Sequence, residues 1–269
     1  MTGTSIQSVA LVGGCGGFGR AFASLFQASG IAVTIIDQYA DADVVLDLTD
    51  ADAALATHVA GHDLVLLCLA EDMAALALAL LSAQDVPGVG LICDICSVKT
   101  NICQLAVQTP EAVAYVSIHP MFGPDRGFED QNLVFIEVRD GPLVAHWRAL
   151  LESWGVRVLD ADADTHDRVT SMVQVLTHAT LISFAQAQNQ LQVPDDLFQA
   201  MTTPIFRSLD DTAQGLLAEN PHLYHNIQTA NPHGEQVRQM LAKAVQQVVN
   251  ELGDADPERT AALFRQLLR

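Results

Sequence analysis

The sequence predicts an α/β protein in which a doubly wound sheet domain is followed by an all-α domain. Three observations predict this order. Short apolar runs alternate with helical stretches in the first half of the chain, a glycine-rich segment follows the first run, and the pattern turns wholly helical after residue 162. Near-continuous apolar strands separated by helices are typical of a parallel sheet covered on both faces. We therefore expect domains at residues 1–162 and 163–269.

Seven apolar runs predict the strands of the first domain. Each has five to seven residues, and most are followed directly by Gly, Asp or another polar residue, which is how buried strands are bounded. They lie at residues 8–12, 32–36, 63–69, 89–93, 114–118, 133–138 and 155–159.

The second domain begins with one long predicted helix. Residues 165–191 contain neither Pro nor Gly, and Met172, Val173 and Ile182 belong to an apolar set that covers much of the helix circumference. A helix that is apolar nearly all round must be buried, and a chain of 269 residues offers limited interior for it. We therefore expect a homodimer formed through this domain. Further helices are predicted at residues 195–201, 205–219, 234–251 and 257–268.

Composition and charge exclude several classes of protein. Half the residues are hydrophobic and 17% are charged, which favours a packed core over disorder. The net charge of −19 repels polyanions, so nucleic-acid binding is not expected. The longest apolar run, residues 74–81, is too short to cross a bilayer, and the first residues do not resemble a secretory leader. We therefore expect a cytoplasmic protein that does not contact membranes.

The cysteines do not predict a metal or a disulfide framework. There are five, and Cys93 and Cys96 form a CxxC without a second CxxC or a His pair. We interpret these two as small buried residues near a strand end and expect no metal.

The glycine-rich segment, residues 13–19, predicts a dinucleotide site. It contains GxGxxG at Gly14, Gly16 and Gly19, it follows a strand and opens a helix, and Asp37 ends the next strand 23 residues after Gly14. We assign the tight turn to Gly14, close approach of the pyrophosphate to Gly16, and helix–strand packing to Gly19. Asp37 accepts hydrogen bonds from ribose hydroxyls and repels a 2′-phosphate, which favours NAD over NADP. The remaining predicted cofactor-binding residues are Gly17, Phe18 and Leu69.

A second cluster, SIHPMFGPD at residues 117–125, contains the candidate base. His119 follows a predicted strand at the carboxyl edge of the sheet, where ligands bind in open α/β folds. The neighbouring Pro and Gly residues stiffen the loop around its imidazole. A neutral imidazole with a pKa near 6.5 is suited to taking a hydroxyl proton as hydride leaves.

SIHPMFGPD and DICSVK at residues 94–99 together resemble the signature segments of the prephenate and arogenate dehydrogenases. The resemblance continues through residues 165–179, 203–207 and 220–224, so it covers essentially the whole chain. It implies an NAD-dependent oxidation at the C4 hydroxyl of prephenate, with loss of the ring carboxylate as CO2, in tyrosine or related aromatic biosynthesis. A 2-hydroxy-acid or 6-phosphogluconate-type dehydrogenase does not account for SIHPMFGPD.

The resemblance also implies roles for individual residues. Ser97 takes the position of a serine that bonds the substrate hydroxyl or the catalytic histidine, and His178 that of a histidine that places the substrate. Tyr224 matches an aromatic residue that the neighbouring subunit supplies in dimers of the family. We interpret His166 and Asp167 as capping residues at a helix start, and leave the role of Lys99 undecided.

One departure from the family pattern concerns the substrate. The family places a carboxylate-binding arginine eight residues after the position of Arg207, where this chain has Gly215. Neither Gly215 nor its neighbour Gln214 replaces the guanidinium with charge. Either Arg126 or Arg207 takes the role, or the substrate differs from prephenate. Two alternatives therefore stay open: a 4-amino-4-deoxyprephenate dehydrogenase of a specialised pathway, and a non-catalytic NAD-binding regulatory homologue.

Overall fold

The structure is a computed structural model that describes residues 5–50, 54–253 and 256–268. It divides into two compact units, Met1–Asp167 and Arg168–Arg269. The division falls at Asp167, whereas the sequence places the domain boundary at residue 162.

The first unit contains a sheet of eight strands in the order β3-β2-β1-β4-β5-β6-β7-β8. The chain begins in the middle of this sheet, builds outwards in one direction, and then crosses back to build in the other. The strands are β1 (Ser8–Val12), β2 (Ala32–Asp37), β3 (Val44–Val45), β4 (Leu64–Leu67), β5 (Leu91–Asp94), β6 (Ala114–Pro120), β7 (Asn132–Arg139) and β8 (Arg157–Asp160). The seven predicted strands are all present, and the two-residue β3 is additional because it is too short to leave a periodic pattern.

The sheet is parallel except at one pair of strands. β7 runs antiparallel to β6, with Ile118 opposite Phe135 and His119 opposite Val134. A purely parallel sheet was therefore the wrong expectation at this point. The connection between these strands contains a short 3₁₀ helix at Pro124–Arg126 and no crossover α-helix, so the chain returns in the opposite direction.

Helices cover both faces of this sheet. The helices of the unit are α1 (Gly17–Ala28), α2 (Ala54–Val59), α3 (Glu71–Ser82), α4 (Thr100–Ala106), α5 (Val144–Ser153) and, at its end, α6 (Ala163–Thr170). One core joins alternate strand residues such as Val65 and Ile92 to α2, α3 and α4. The other joins the intervening residues, such as Leu66, to Phe22 of α1 and Trp147 of α5. Two buried faces explain why the strands are continuously apolar.

The second unit is entirely helical in the part of the chain that the structure describes. A π-helix, Ser171–Leu176, follows α6 and leads into α7 (Thr177–Gln190). The long helix predicted at residues 165–191 is present as a continuous helical stretch from residue 163 to 190, and the wider π turn within it is the one feature that the sequence does not predict. The remaining helices are α8 (Asp195–Met201), α9 (Pro204–Leu217), α10 (Pro221–Ala230), α11 (Gly234–Leu252) and α12 (Pro257–Leu267).

The helices of the second unit leave large apolar side chains exposed in the single chain. On the π-helix Met172 is 54% exposed, whereas Val175 is fully buried. Met201 and Ile205 are 78% and 84% exposed. Among the described helices, none combines the length and the hydropathy needed to cross a membrane.

Candidate active site

The predicted functional residues of the first unit lie after the carboxyl ends of neighbouring parallel strands. Val12 of β1 pairs with Leu67 of β4, Leu67 pairs with Asp94 of β5, and Asp94 pairs with Ser117 of β6. The glycine-rich segment follows β1, Ser97 follows β5, and His119 lies near the end of β6. β2 and β4 lie on opposite sides of β1, so the strand order reverses here, which is where open α/β sheets bind ligands.

The glycine loop, residues 13–19, needs glycine for three different reasons. Gly13 has φ +79°, and a Cβ there would lie 2.4 Å from the carbonyl oxygen of Cys68. The left-handed residue of the turn is thus Gly13, whereas the sequence assigns the turn to Gly14. A Cβ on Gly19 would lie 2.5 Å from Gly14 Cα, which agrees with a packing role for Gly19. A Cβ on Gly16 would meet only Gly13 O, at 3.4 Å, so Gly16 faces free space.

The start of α1 can hold an anion. Gly16 caps this helix without a side-chain hydrogen bond, and no acidic residue occupies its first turn. The first N–H groups of a helix have no partner within it, and they point along the positive end of the helix dipole. The pyrophosphate of a dinucleotide fits this arrangement.

Asp37 lies beside the loop, at the end of β2. Its carboxylate accepts hydrogen bonds from the backbone N–H groups of Cys15, at 2.9 Å, and Gln38, at 2.7 Å. Asp37 and Leu69 both line a cavity of about 230 Å³ that also contains Gly13. This cavity is where an adenosine ribose would meet the Asp37 carboxylate.

The segment that follows His119 packs against the glycine loop. A Cβ on Gly17 would lie 2.8 Å from Pro124 Cγ, so the absence of a side chain at Gly17 permits this approach. Phe18 and Phe122 also meet edge to face, with their ring centroids 5.8 Å apart. These contacts place the predicted cofactor loop and the loop of the predicted base side by side.

The imidazole of His119 is buried. The residue belongs to strand β6, whereas the sequence places it in the loop after that strand. The residue is 4% exposed. Burial, followed by the charge of Lys99 and the proximity of His166, holds the pKa of His119 well below 6.5. The expectation of an ordinary imidazole pKa was therefore wrong, because the sequence does not reveal how deeply the ring is enclosed.

His119 belongs to a chain of three hydrogen-bonded side chains. Its Nδ1 lies 2.9 Å from Nε2 of His166, and Nδ1 of His166 lies 2.8 Å from Oδ1 of Asp167. The Asp167 carboxylate also accepts hydrogen bonds from the backbone N–H groups of Lys99 and Thr100 and from the Thr100 hydroxyl. Burial alone would raise the pKa of Asp167, but the hydrogen bonds from His166 and Thr100 outweigh it and lower that pKa.

The interpretation of His166 and Asp167 as caps of their own helix was therefore wrong. Asp162 fills that place, since it accepts hydrogen bonds from the backbone N–H and the hydroxyl of Thr165. Asp167 instead caps the start of α4, and His166 contacts the candidate base. The sequence separation of 47 residues between His119 and His166 hides this contact from any local pattern.

Lys99 is fully buried and forms hydrogen bonds to residues of two neighbouring strands, β5 and β6. Its ammonium group donates to Asp94 Oδ1 at 3.0 Å and to the carbonyl oxygen of Ile118 at 2.6 Å. Tyr115 donates its hydroxyl proton to the other Asp94 oxygen at 2.8 Å. Burial alone would lower the pKa of Lys99, but the Asp94 charge outweighs it and raises that pKa. The structure therefore gives Lys99 a structural role, which the sequence leaves undecided.

The backbone of Ser97 is fixed by a hydrogen bond, whereas its hydroxyl has no hydrogen-bond partner among the described residues. Its backbone N–H donates to Glu71 Oε1 at 2.9 Å, and Glu71 is the first residue of α3. The structure contains no hydrogen bond from the Ser97 hydroxyl to His119 or to any other described residue. Of the two expected partners of Ser97, His119 is therefore not bonded to it among the described residues, and the substrate hydroxyl stays a prediction. Nothing in the sequence marks Glu71 as a partner of Ser97.

The predicted substrate residues of the second unit form one contact. The rings of His178 and Tyr224 meet edge to face, with their centroids 4.8 Å apart within the same chain. Burial lowers the pKa of His178, and its Nδ1 has no hydrogen-bond partner among the residues that the structure describes. Arg207 is exposed on α9, and a Cβ on Gly215 would meet nothing within 4 Å. An arginine would therefore fit at the Gly215 position.

The other candidates lie in the first unit. Arg126 is exposed at the end of the 3₁₀ helix. Cys93 and Cys96 are buried, and burial raises the pKa of both thiols well above 9.0, which favours their interpretation as core residues. No group of three potential metal-binding side chains occurs among the described residues.

Comparisons with known proteins identify both units. The family described as "Prephenate dehydrogenase, nucleotide-binding domain" matches residues 22–158, and "Prephenate dehydrogenase, dimerization domain" matches residues 162–266. A 4-amino-4-deoxyprephenate dehydrogenase from Streptomyces pristinaespiralis is 30% identical over 267 residues, which is 96% of this chain and 88% of that protein. A T-protein from Enterobacter agglomerans is 26% identical over 82% of this chain, and the chain spans 56% of that protein's length.

Solved structures agree on the fold. A prephenate dehydrogenase from Aquifex aeolicus, crystallised in complex with hydroxyphenyl propionate and NAD+, superposes with a TM-score of 0.67. It is 17% identical, and the match covers 97% of each chain. The predicted fold, a Rossmann-type domain followed by a helical domain, is thus confirmed. The two family matches span most of the sequence, so the chain belongs to the prephenate dehydrogenase family of oxidoreductases.

Proposed function

We propose that the protein catalyses the NAD-dependent oxidative decarboxylation of a prephenate-type cyclohexadienyl acid. The observation that carries this proposal is the buried, hydrogen-bonded imidazole of His119, whose loop packs against the glycine loop at the carboxyl edge of the sheet. A base placed there can remove the proton of a C4 substituent beside the cofactor. A non-catalytic homologue has no use for such a base.

The residues present fit NAD as the cofactor. The first N–H groups of α1 would bind the pyrophosphate, Gly16 would leave room for it, and Asp37 would accept hydrogen bonds from the ribose hydroxyls. Gly14, Gly17, Phe18, Gly19 and Leu69 complete this proposed set. When bound, NAD accepts the hydride that leaves the substrate ring. Asp37 disfavours NADP, because its carboxylate would repel a 2′-phosphate.

The chain's own residues supply the proton transfer. Since burial keeps His119 neutral, its imidazole can accept the proton of the C4 substituent, and the Ser97 hydroxyl is free to hold that substituent in line. His178, Tyr224, Arg207 and Arg126 are the proposed substrate-binding residues. Aromatisation of the ring then favours loss of the carboxylate as CO2.

Two substrates remain candidates for this reaction. Prephenate gives 4-hydroxyphenylpyruvate and would place the enzyme in tyrosine formation. A 4-amino-4-deoxyprephenate substrate is supported by the relative that matches over nearly the full length of the chain. Both share the proposed proton and hydride transfers, so they differ in the group that His119 deprotonates.

The test is an assay of NADH formation by the purified protein with prephenate, arogenate and 4-amino-4-deoxyprephenate, each with NAD and with NADP. We expect turnover of at least one substrate with NAD and release of CO2. His119→Asn should abolish turnover while the Kd for NAD changes less than about twofold, because a base contributes to the reaction and not to cofactor binding. His58→Asn, an exposed histidine of α2, is the matched control. No turnover of any substrate by a protein that binds NAD would overturn the proposal.

A homodimer and a cytoplasmic location belong to the same proposal. The dimer is supported by the family description of the second unit and by exposed apolar residues such as Met201 and Ile205. Light scattering coupled to size exclusion measures the oligomeric state directly. The cytoplasm is where NAD and anionic ring acids, which a bilayer retains, are both available.

A further inference from the structure

We propose that His166 and Asp167 form a proton relay behind His119, which fixes the tautomer of the base and shares the proton that it accepts. The proposal rests on the proposed function for its chemistry. The hydrogen-bond geometry on which it stands belongs wholly to the first unit.

The chemistry of the three groups determines the direction of each hydrogen bond. A carboxylate only accepts, so Asp167 receives the proton on Nδ1 of His166. A neutral His166 then has an unprotonated Nε2, which must accept from Nδ1–H of His119. The proton of a neutral His119 is therefore on Nδ1, and its Nε2 has a free lone pair. A histidine with the opposite tautomer could not act as a base at Nε2.

The relay would lower the electrostatic cost of placing a proton on the buried His119. His119 is buried, and a proton on it would lie near the positive charge of Lys99. Lys99 is paired with Asp94, and among the described residues the side-chain hydrogen bond of His119 is to His166 and not to a carboxylate. Asp167 is the carboxylate that reaches this site, through His166. A positive charge on His166 would therefore lie directly against a carboxylate, whereas one on His119 would not.

The proton movements balance as follows. The bond between the C4 substituent and its proton breaks, and an N–H bond forms at Nε2 of His119. The Nδ1–H bond of His119 breaks, and an N–H bond forms at Nε2 of His166. His119 is then neutral again, and His166 is an imidazolium against the Asp167 carboxylate, which lies 2.8 Å away. No oxidant beyond the one that takes the hydride is required.

The substitution that isolates the relay is His166→Gln. The Gln amide oxygen can accept from His119 Nδ1–H but cannot take up a proton, and Asp167 keeps its hydrogen bonds to the start of α4. We expect kcat to fall about 100-fold, at the lower end of what general acid–base catalysis contributes, with little change in the Kd for NAD. The acidic limb of kcat/KM should move to lower pH, because only the buried His119 can then be protonated. His58→Gln is the control, and both measures should stay unchanged in it.

The second test reads the tautomers in the cofactor-free protein and does not depend on turnover. In ¹⁵N-histidine-labelled protein at neutral pH, NMR should show His119 protonated on Nδ1 and unprotonated on Nε2. Asp167→Leu keeps a similar shape but removes the acceptor of the His166 Nδ1 proton, so the two rings are no longer held in one arrangement and part of the His119 population should carry its proton on Nε2. Asp167→Glu should retain the original tautomer.

Three results would overturn the relay. These are a wild-type His119 protonated on Nε2, an unchanged tautomer in Asp167→Leu, or loss of activity in His166→Gln with the acidic limb in its original place. The last result would indicate a packing role alone. If the wild type turns over none of the three ring acids, the proposed function fails, and the NMR result still decides the arrangement of the relay.

Discussion

A histidine that is held neutral inside the protein makes the stability of the fold depend on pH. The pKa of His119 in the folded protein lies well below 6.5, the value expected in the unfolded chain. Below about pH 6.5 the unfolded chain therefore binds a proton at this residue that the folded protein does not bind. This difference lowers the free energy of unfolding as the pH falls from that value towards the folded pKa.

We predict that His119→Asn removes this contribution. The Asn amide can donate to His166 in place of Nδ1, so the fold should persist. Between pH 6.5 and pH 5 the free energy of unfolding of the wild type should fall more steeply than that of the variant, by up to about 1.4 kcal/mol per pH unit. Urea unfolding across this range measures both slopes. Equal slopes would show that His119 is protonated as easily in the folded protein as in the unfolded chain.

At the scale of secondary-structure elements, the buried ammonium group of Lys99 links strands β5 and β6. Lys99 joins Asp94 at the end of β5 to Ile118 of β6, one residue before His119. The side chains of Lys99 and Asp94 are both 0% exposed. Removing one member of such a pair leaves the other charge without compensation in the core.

Lys99→Met should therefore lower the free energy of unfolding by about 3 to 5 kcal/mol. The double variant Lys99→Met/Asp94→Asn should recover part of this loss, because Asn has no charge to leave unpaired. Denaturant titration followed by circular dichroism gives the values. Arg265→Met serves as the control, since its ion pair with Glu258 is exposed and should contribute little. A loss no larger than that of the control would contradict a structural role for Lys99.

The elements also differ in how well the sequence predicts them. The apolar runs and the glycine segment are local patterns, so they predict the strands and the turn between β1 and α1 well, whereas the cofactor-binding role of that turn stays a prediction. β7 is different, because its apolar run does not reveal its direction, which depends on the connection that precedes it. Likewise, the pattern finds His119 and Ser97 but not their partners, His166 for His119 and Glu71 for Ser97, since these contacts join distant segments of the chain.

At the scale of the whole molecule, the net charge of −19 opposes the approach of anionic ligands. Both NAD and a prephenate-type dicarboxylate are anions. The Debye length shortens from about 30 Å at 0.01 M salt to about 8 Å at 0.15 M, so added salt screens this long-range repulsion.

We predict that KM for the ring acid falls by about two- to tenfold when NaCl is raised from about 10 to about 150 mM, while kcat changes little. Initial rates at saturating NAD measure both constants. Acetate replacing chloride at equal ionic strength controls for specific binding of chloride. A KM that rises with salt would mean that local cations such as Arg126 or Arg207 govern the approach instead.

The position of Asp167 at the end of the first unit has an evolutionary consequence. The base, its two partners and the glycine loop all precede residue 168, whereas His178, Arg207, Gly215 and Tyr224 follow it. If these groups have the proposed roles, the first unit contains the residues that transfer the proton, and the second contains most of the residues that determine which substrate binds. Duplicated genes could then diverge in their second half alone, and acquire a new ring acid without rebuilding the proton transfer.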